Sequence, residues 1–169
     1  MAPATLTYMN TKLPMSNAVG LVLWLVSEGG LSVDEVADGL DRTGGLLALA
    51  GTSDMKDVVQ RAGSGDDDAV LALDVTVHRL AGELARMAAA LGGIDALVFT
   101  GGIGERSAVL RARVADRLGF LGVALDAVRN DAAHPDTEIT ADSSAARTFV
   151  LEAREDLELA RGARALLDG

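Results

Sequence analysis

The chain has 169 residues, of which 49% are hydrophobic and 24% are charged, a globular composition that excludes a disordered protein. Its 25 acidic and 15 basic residues give a formal net charge of −10, which argues against nucleic acid as a partner. It has no cysteine, which excludes disulfides and thiolate metal sites. We expect a cytoplasmic protein without a membrane partner, because residues 18–26, the most apolar stretch, are too short to cross a bilayer.

The first half of the chain predicts helices and turns. Residues 1–16 show no periodicity and predict an irregular N-terminal segment. A buried helix is predicted from Ser16 or Asn17 to the glycines at 29 and 30, and a second helix has Ser32 as N-cap and Glu35 in the capping-box position. Residues 43–63 then predict a short apolar segment, a turn at residues 51–53 and a short helix.

The clearest helical pattern covers residues 66–92, with aspartates at its beginning and glycines at its end. The apolar positions that are spaced by three and four are Val70, Leu73, Val77, Leu80, Leu84, Met87 and Leu91. A buried strand over residues 94–100, a helix over 106–120, two short strands within 139–153 and a terminal helix over 155–167 follow. This alternation predicts an α/β fold with a small mixed sheet and packed helices.

The segment "TGGIGE", residues 100–105, joins the predicted strand to the next helix. Glycines between a strand and a helix allow an anion to approach the backbone closely, and they also suit a simple tight turn. The segment lacks the Lys-Ser/Thr of a P-loop and the GxGxxG of a dinucleotide fold. The pattern alone leaves both interpretations open.

Two further segments have both a functional and a structural interpretation. Asp54 can accept hydrogen bonds from ribose hydroxyls while Met55 and Lys56 flank a base, or else Ser53 or Asp54 simply caps the next helix. Glu155 or Asp156, at the start of the last helix, can bind Mg²⁺, but acidic residues are favoured there by the helix dipole alone. The two histidines have no nucleophile or second histidine at a telling spacing, which argues against a hydrolase triad or a histidine metal site.

The stretches "GLLALAGTSDMKDV", "DALVFTGGIGE" and "VLEAREDLELAR" together resemble the C-terminal half of the acetate kinase (acetokinase) family. The resemblance runs in order from about residue 19 to residue 166. It implies a single C-terminal lobe of the ribonuclease H-like fold that acetate and sugar kinases, heat-shock ATPases and actin share. Residues 17–169 would form this nucleotide-binding lobe, with ATP in the cleft of the complete enzyme.

The resemblance also assigns roles to residues. Asp54, Met55 and Lys56 match the segment that holds the adenosine, although the family usually has arginine where this chain has Lys56. Glu155 matches an Mg²⁺ ligand, and Lys12 stands where the family has its catalytic arginine. The residues that match the loop beside the adenosine and the α-phosphate are Gly101, Gly102, Ile103, Gly104 and Arg106, the last at a usual asparagine position.

The implied reaction is phosphoryl transfer between ATP and acetate, giving acetyl phosphate and ADP with Mg²⁺. Most of the catalysis of phosphoryl transfer is positioning and charge stabilisation by several groups at once. The resemblance gives this chain only the adenosine side of the site and one metal ligand, so we expect negligible turnover by the chain alone. The alternatives are a non-catalytic nucleotide-binding or dimerisation module, because the family forms homodimers through these lobes, and a kinase for propionate or butyrate.

Overall fold

A computed structural model describes residues 15–167 of the chain. Residues 1–14, which include Lys12 and most of the predicted irregular segment, lie outside the described residues. The helices are α1 (Met15–Ser27), α2 (Val33–Asp41), α3 (Gly45–Ala50), α4 (Met55–Gly63), α5 (Asp67–Leu91), α6 (Gly101–Arg106), α7 (Ala108–Arg117), α8 (Ala127–Asp131) and α9 (Glu155–Leu167). The strands are β1 (Ala96–Phe99), β2 (Thr137–Glu138) and β3 (Arg147–Val150).

The three strands form one mixed sheet in the order β1-β3-β2. β1 and β3 are parallel, with Leu97 opposite Thr148 and Phe99 opposite Val150, and β2 is antiparallel to β3. These four side chains are buried and fix the register, because a slip of one residue would expose them all. The small mixed sheet with packed helices that the sequence predicts is confirmed.

The helix ends follow the predicted signals. Ser32 and Glu35 form a capping box, in which the Glu35 N–H donates to Ser32 Oγ at 3.2 Å and the Ser32 N–H donates to Glu35 Oε2 at 2.8 Å. Asp66 caps α5 by accepting from the Ala69 N–H, and Gly92 ends the helix in the left-handed conformation.

Helix α5 is central to the core, where it packs against α3, α4 and α7. Its buried face differs from the predicted one: Leu73 and Val77 are buried, but Met87 and Leu91 are 51% and 76% exposed. The alanines of α5 replace them in the core, namely Ala69, Ala72, Ala81 and Ala88. Small side chains let neighbouring helices approach closely, which a pattern based on large apolar residues does not reveal.

The prediction that the first helix is buried was wrong for the described part of the chain. In α1, Leu21, Leu23 and Trp24 are 57%, 64% and 55% exposed. The helix packs mainly against α2, which offers only Val36 as a buried side chain. The apolar side chains of α1 therefore form an exposed surface that the rest of residues 15–167 does not cover. No helix in this range is long and apolar enough to span a membrane.

The antiparallel pair β2–β3 carries an acid-sensitive ion pair. Arg147 donates to both carboxylate oxygens of Glu138, at 3.1 and 2.7 Å. These hydrogen bonds, followed by one from the Thr140 hydroxyl, lower the pKa of Glu138 to about 2. Since the folded pKa lies below the unfolded value, the stabilisation is complete above about pH 4.3 and is lost as the pH falls towards 2.

We therefore expect the melting temperature of the wild type to fall more steeply between pH 5 and pH 2.5 (roughly the window between the two pKa values) than that of Glu138→Gln. Scanning calorimetry across this range measures the difference. Arg147→Met should flatten the profile in the same direction but less completely, because Thr140 still donates to Glu138. The double variant should match Glu138→Gln, because the two residues act as a pair. A wild-type slope equal to that of Glu138→Gln would contradict the assignment.

Candidate functional site

The candidate site lies where two adjacent parallel strands end. Phe99 and Val150, the last residues of β1 and β3, are partners in the sheet. The glycine segment follows β1 directly as α6, and the acidic start of α9 follows β3 after a short connection. The carboxyl ends of parallel strands are where ligands bind in open α/β sheets, so the fold places both predicted segments at the expected edge.

The glycine segment is not a loop but the short helix α6, which corrects the sequence prediction. Gly101 has φ +73°, a conformation that favours glycine. Gly104 packs against Phe99, where a Cβ atom would make an ordinary contact of 3.4 Å with the Phe99 carbonyl carbon. The helix ends at Arg106. Ser107 then adopts an extended conformation and begins α7 by accepting the Leu110 N–H at 3.3 Å.

The turn before α4 is held by hydrogen bonds from its backbone N–H groups to its own side chains. Gly51 has φ +70°, Asp54 donates its N–H to the Thr52 hydroxyl at 3.2 Å, and Asp54 Oδ1 accepts the Lys56 N–H at 2.9 Å. The predicted capping role of Asp54 is therefore confirmed. A carboxylate has about four acceptor directions on two oxygens, so the cap leaves capacity for a ligand hydroxyl.

Arg61 fastens this turn to the core helices. Its guanidinium donates to the Ala50 carbonyl at 2.7 Å and to Asp66 Oδ2 at 3.0 and 2.9 Å. The hydrogen bond to Asp66 raises the pKa of Arg61, while the Ala69 N–H and Arg61 lower the pKa of Asp66. The end of α3, the turn and the start of α5 are thereby held in one arrangement.

The turn and the glycine segment meet in one cleft of about 760 Å³. Its lining residues are Ser53, Asp54, Met55, Lys56, Val59, Gly102, Ile103, Arg106, Ser107, Ala108 and Val109. The structure thus brings together most of the residues that the sequence singled out for an adenine nucleotide. Gly101 and Gly104 belong to the same helix but do not line this cleft; Gly104 lines the neighbouring hollow. Met55 is only 4% exposed and belongs equally to the core.

The lining of the cleft carries one more positive than negative charge. Lys56 and Arg106 are both exposed at its surface, and Asp54 is the acidic residue of the lining. This local excess of positive charge stands in a chain whose formal net charge is −10. Lys56 and Arg106 are thus placed where they can pair with negatively charged groups of a ligand in the cleft.

Arg111 of α7 holds the glycine helix from behind and is only 2% exposed. Its guanidinium donates to the carbonyls of Gly104 and Glu105 at 2.9 and 2.8 Å, and to the side-chain and backbone oxygens of Asn130, both at 2.8 Å. Burial lowers the pKa of Arg111, and the charge of nearby Asp131 opposes the shift. The carbonyls at the end of α6 are thereby satisfied and its direction is fixed.

The segment between β3 and α9 is tied to the glycine helix. The Leu151 N–H donates to the Phe99 carbonyl at 2.9 Å, and the Ala153 N–H donates to Glu105 Oε1 at 2.9 Å. Glu155 follows two residues later, exposed in the first turn of α9. Within residues 15–167 no group of three or more histidine or acidic residues is placed to hold a metal. Glu155 does not line the cleft of about 760 Å³ but a separate hollow, together with Arg154, Glu158 and Leu159.

Sequence reasoning missed three residues that shape this site: Glu105, Ser107 and Arg111. Ser107 has a detectable signal, because serine three residues before an apolar residue at a helix start is typical of a cap. The sequence pattern predicts that Arg111 is an exposed charged residue of an amphipathic helix. It is buried because it bonds to Asn130, which lies 19 residues further along the chain.

A second, larger hollow of about 1080 Å³ adjoins the cleft and shares Met55 and Ile103 with it. Its lining is mostly aliphatic and comes from α3, α5 and β1, with Arg79 and Glu83 as its charged residues. The smaller cleft has the convergent polar groups expected of a ligand site, and we therefore take it as the candidate site.

The fold is shared with carboxylate kinases. A propionate kinase from Francisella tularensis is 34% identical with a TM-score of 0.75 over 82% of this chain and 35% of that chain. An acetate kinase from Porphyromonas gingivalis is 27% identical with a TM-score of 0.79 over 88% of this chain and 38% of that chain. The architecture is therefore that of the lobe expected from the sequence.

A family model described as the acetokinase family matches residues 13–161, and the chain belongs to this family. The acetate kinase of Leifsonia xyli subsp. xyli is 46% identical over 140 residues, which are 82% of this chain and 35% of that protein. The chain thus spans about a third of the length of the curated relatives it matches.

Proposed function

We propose that the chain is the nucleotide-binding lobe of an acetate kinase-type phosphotransferase and binds ADP or ATP in the cleft between the Asp54 turn and α6. The observation that supports this most is that residues 53–59 and 102–109, far apart in sequence, line one cavity of about 760 Å³. That volume lies within the range of roughly 300–1,000 Å³ that is usual for small-molecule sites.

The lining residues suggest a role for each part of the nucleotide. The free acceptor capacity of Asp54 suits ribose hydroxyls, and Val59 and Ile103 offer apolar contacts to a base. Lys56 and Arg106 are exposed cations at the surface of the cleft, where they can pair with phosphates. Gly102 has no side chain, which leaves room for the ligand near the backbone.

A magnesium ion fits the donor set at Glu155. Mg²⁺ prefers oxygen ligands and commonly uses one or two carboxylates together with nucleotide phosphates and water. Glu155 supplies one exposed carboxylate in a segment that is bonded to the glycine helix through Ala153. When bound, the ion would neutralise phosphate charge, and Glu155 would be the protein ligand that holds it.

The proposed reaction is transfer of a phosphoryl group between ATP and a short carboxylate, acetate or propionate. The family membership supports the kinase class, and the Francisella neighbour bears the name of a propionate kinase. The cleft lining contributes two cations and no histidine. Because phosphoryl transfer depends on several positioned charges at once, we expect negligible turnover by the 169-residue chain in a coupled assay at saturating ATP, Mg²⁺ and acetate.

Nucleotide binding is the direct test of the proposal. ADP with Mg²⁺ at 100 times its Kd should raise the free energy of unfolding by about 2.7 kcal/mol, because it binds only the folded state. Thermal unfolding and isothermal titration calorimetry measure the shift and the Kd. Adenosine alone should bind more weakly, since it lacks the phosphates that pair with Lys56 and Arg106. Absence of any shift at millimolar ADP with Mg²⁺ would contradict the proposal.

A second candidate function, association into a homodimer, is favoured by the exposed apolar surface of α1. Leu21, Leu23 and Trp24 are each more than half exposed, an unusual grouping for a surface that faces only water. Light scattering with and without ADP distinguishes the two roles. A dimer whose formation is indifferent to ADP, together with no ADP-dependent stabilisation, would favour an association module.

A further inference from the structure

We propose that Glu105 is a positioning residue that sets the spacing between the glycine helix of the nucleotide cleft and the acidic start of α9. Its Oε1 atom accepts two backbone N–H groups at once, from Gly101 at 2.9 Å and from Ala153 at 2.9 Å. The inference rests on the proposed function, because it concerns how the same site is assembled.

The bridge lies where the sheet no longer connects the two segments. The β1–β3 ladder ends with the Leu151 N–H donating to the Phe99 carbonyl at 2.9 Å. Beyond that point, the direct hydrogen bonds that join the two segments within residues 15–167 run through Glu105. A carboxylate accepting two N–H groups makes charge-assisted hydrogen bonds, which are stronger than neutral ones.

A different anchor holds the other side of the same segment. Asp136 Oδ1 accepts from Arg154 at 3.2 Å and from the Glu152 N–H at 3.4 Å. The hydrogen bond from Arg154 is the main cause of the lowered pKa of Asp136. This contact ties the segment to the residue before β2 and makes no bond to α6, so it provides a matched comparison for Glu105.

If Glu155 holds the metal as proposed, Glu105 has a specific effect on metal binding. Glu155 is two residues beyond Ala153, so their Cα atoms are at most about 7 Å apart. An ion that is held by Glu155 and by the nucleotide phosphates requires both at a fixed spacing. Glu105 therefore contributes more to the binding of Mg²⁺·ADP than to the binding of ADP without metal.

Three substitutions of Glu105 distinguish the effect of its two hydrogen bonds from the effect of its negative charge. Glu105→Gln keeps an acceptor oxygen at the same reach and removes the charge. Glu105→Asp keeps the charge and shortens the side chain by one methylene, so it cannot reach both N–H groups. Glu105→Ala removes both. Asp136→Asn is the comparison variant, since it weakens the other anchor of the same segment.

Amide hydrogen exchange in the 169-residue chain can be followed by NMR. In Glu105→Ala and Glu105→Asp, we expect the amides of Gly101 and Ala153 both to lose their protection from exchange. The Gln variant should keep both protected. By calorimetry, Kd for Mg²⁺·ADP should rise about tenfold in the Ala and Asp variants, while Kd for ADP with EDTA changes less than about twofold. Asp136→Asn should leave the Gly101 amide protected.

Unchanged protection of Gly101 and Ala153 in Glu105→Asp would overturn the bridge, as would an equal loss of affinity with and without Mg²⁺. If Glu105→Ala does not fold, the Gln and Asp variants still decide the question, because the inference requires them to differ. Failure of the wild type to bind ADP under either condition would contradict the proposed function instead, and the amide protection would still test the bridge by itself.

Discussion

Replacing Arg111 by methionine is expected to lower the free energy of unfolding by about 3–5 kcal/mol, because it leaves buried acceptors without their donors. The guanidinium is 2% exposed and serves Gly104, Glu105 and Asn130 with four hydrogen bonds. Methionine fills much of the volume but donates nothing. Urea unfolding followed by circular dichroism measures the change.

Arg113→Met is the matched control, since it makes the same change on the same helix. Arg113 pairs with Asp74 at the surface, where its side chain is 39% exposed. A partly exposed ion pair contributes less than about 1 kcal/mol, so the control should stay close to the wild type. Equal losses in the two variants would show that the buried network does not stabilise the fold as described.

Replacing Asp54 by serine should separate its capping role from its proposed role in binding. Serine is also a good N-cap, so the unliganded stability should change by less than about 0.5 kcal/mol. The shorter side chain cannot both cap α4 and reach a ribose in the cleft, and we expect Kd for Mg²⁺·ADP to rise at least about tenfold. Calorimetric titration and thermal unfolding measure the two effects independently.

Asp126→Ser provides the control for this substitution. Asp126 caps α8 by accepting the Arg129 N–H at 2.8 Å and does not line the cleft. The same replacement there should leave ADP binding unchanged. If Asp54→Ser binds Mg²⁺·ADP as tightly as the wild type does, Asp54 is a helix cap and nothing more.

Local signals in the sequence predicted the helix ends well, whereas β2 (Thr137–Glu138) lies before the range 139–153 in which both short strands were predicted. Ser32 with Glu35, Asp66 and Gly92 each act through neighbours within a few residues, so their patterns identify the helix ends directly. The same holds for Asp54, whose capping bond to Lys56 spans two residues. The strand before the glycines also follows from its own short apolar run, but it is buried only at Leu97 and Phe99, because Val98 faces outward and is 45% exposed.

What the sequence could not predict depends on contacts between distant segments. Glu105 meets Ala153, which is 48 residues away, and Arg111 meets Asn130, which is 19 residues away. The apolar run of α1 indicates a helix, but whether that helix is covered depends on neighbours elsewhere in the fold. The sequence also predicted a loop where the structure has the helix α6. This difference again depends on a residue outside the segment, because Arg111 of α7 donates to the carbonyls at the end of α6.

The parallel register of β1 and β3 has a consequence for which insertions and deletions the chain tolerates. Before β3, the turn tip at Asp142 and Ser143 is exposed and makes no hydrogen bond within residues 15–167, whereas Ser144 is hydrogen-bonded to Gly122 and Ala124. An added residue at that tip is therefore absorbed without moving the strand's partners. An added residue between Val150 and Ala153 would instead shift every later atom by about 3.3 Å along the chain and carry Ala153 away from Glu105. Length variation should therefore be accepted on one side of this strand and rejected on the other.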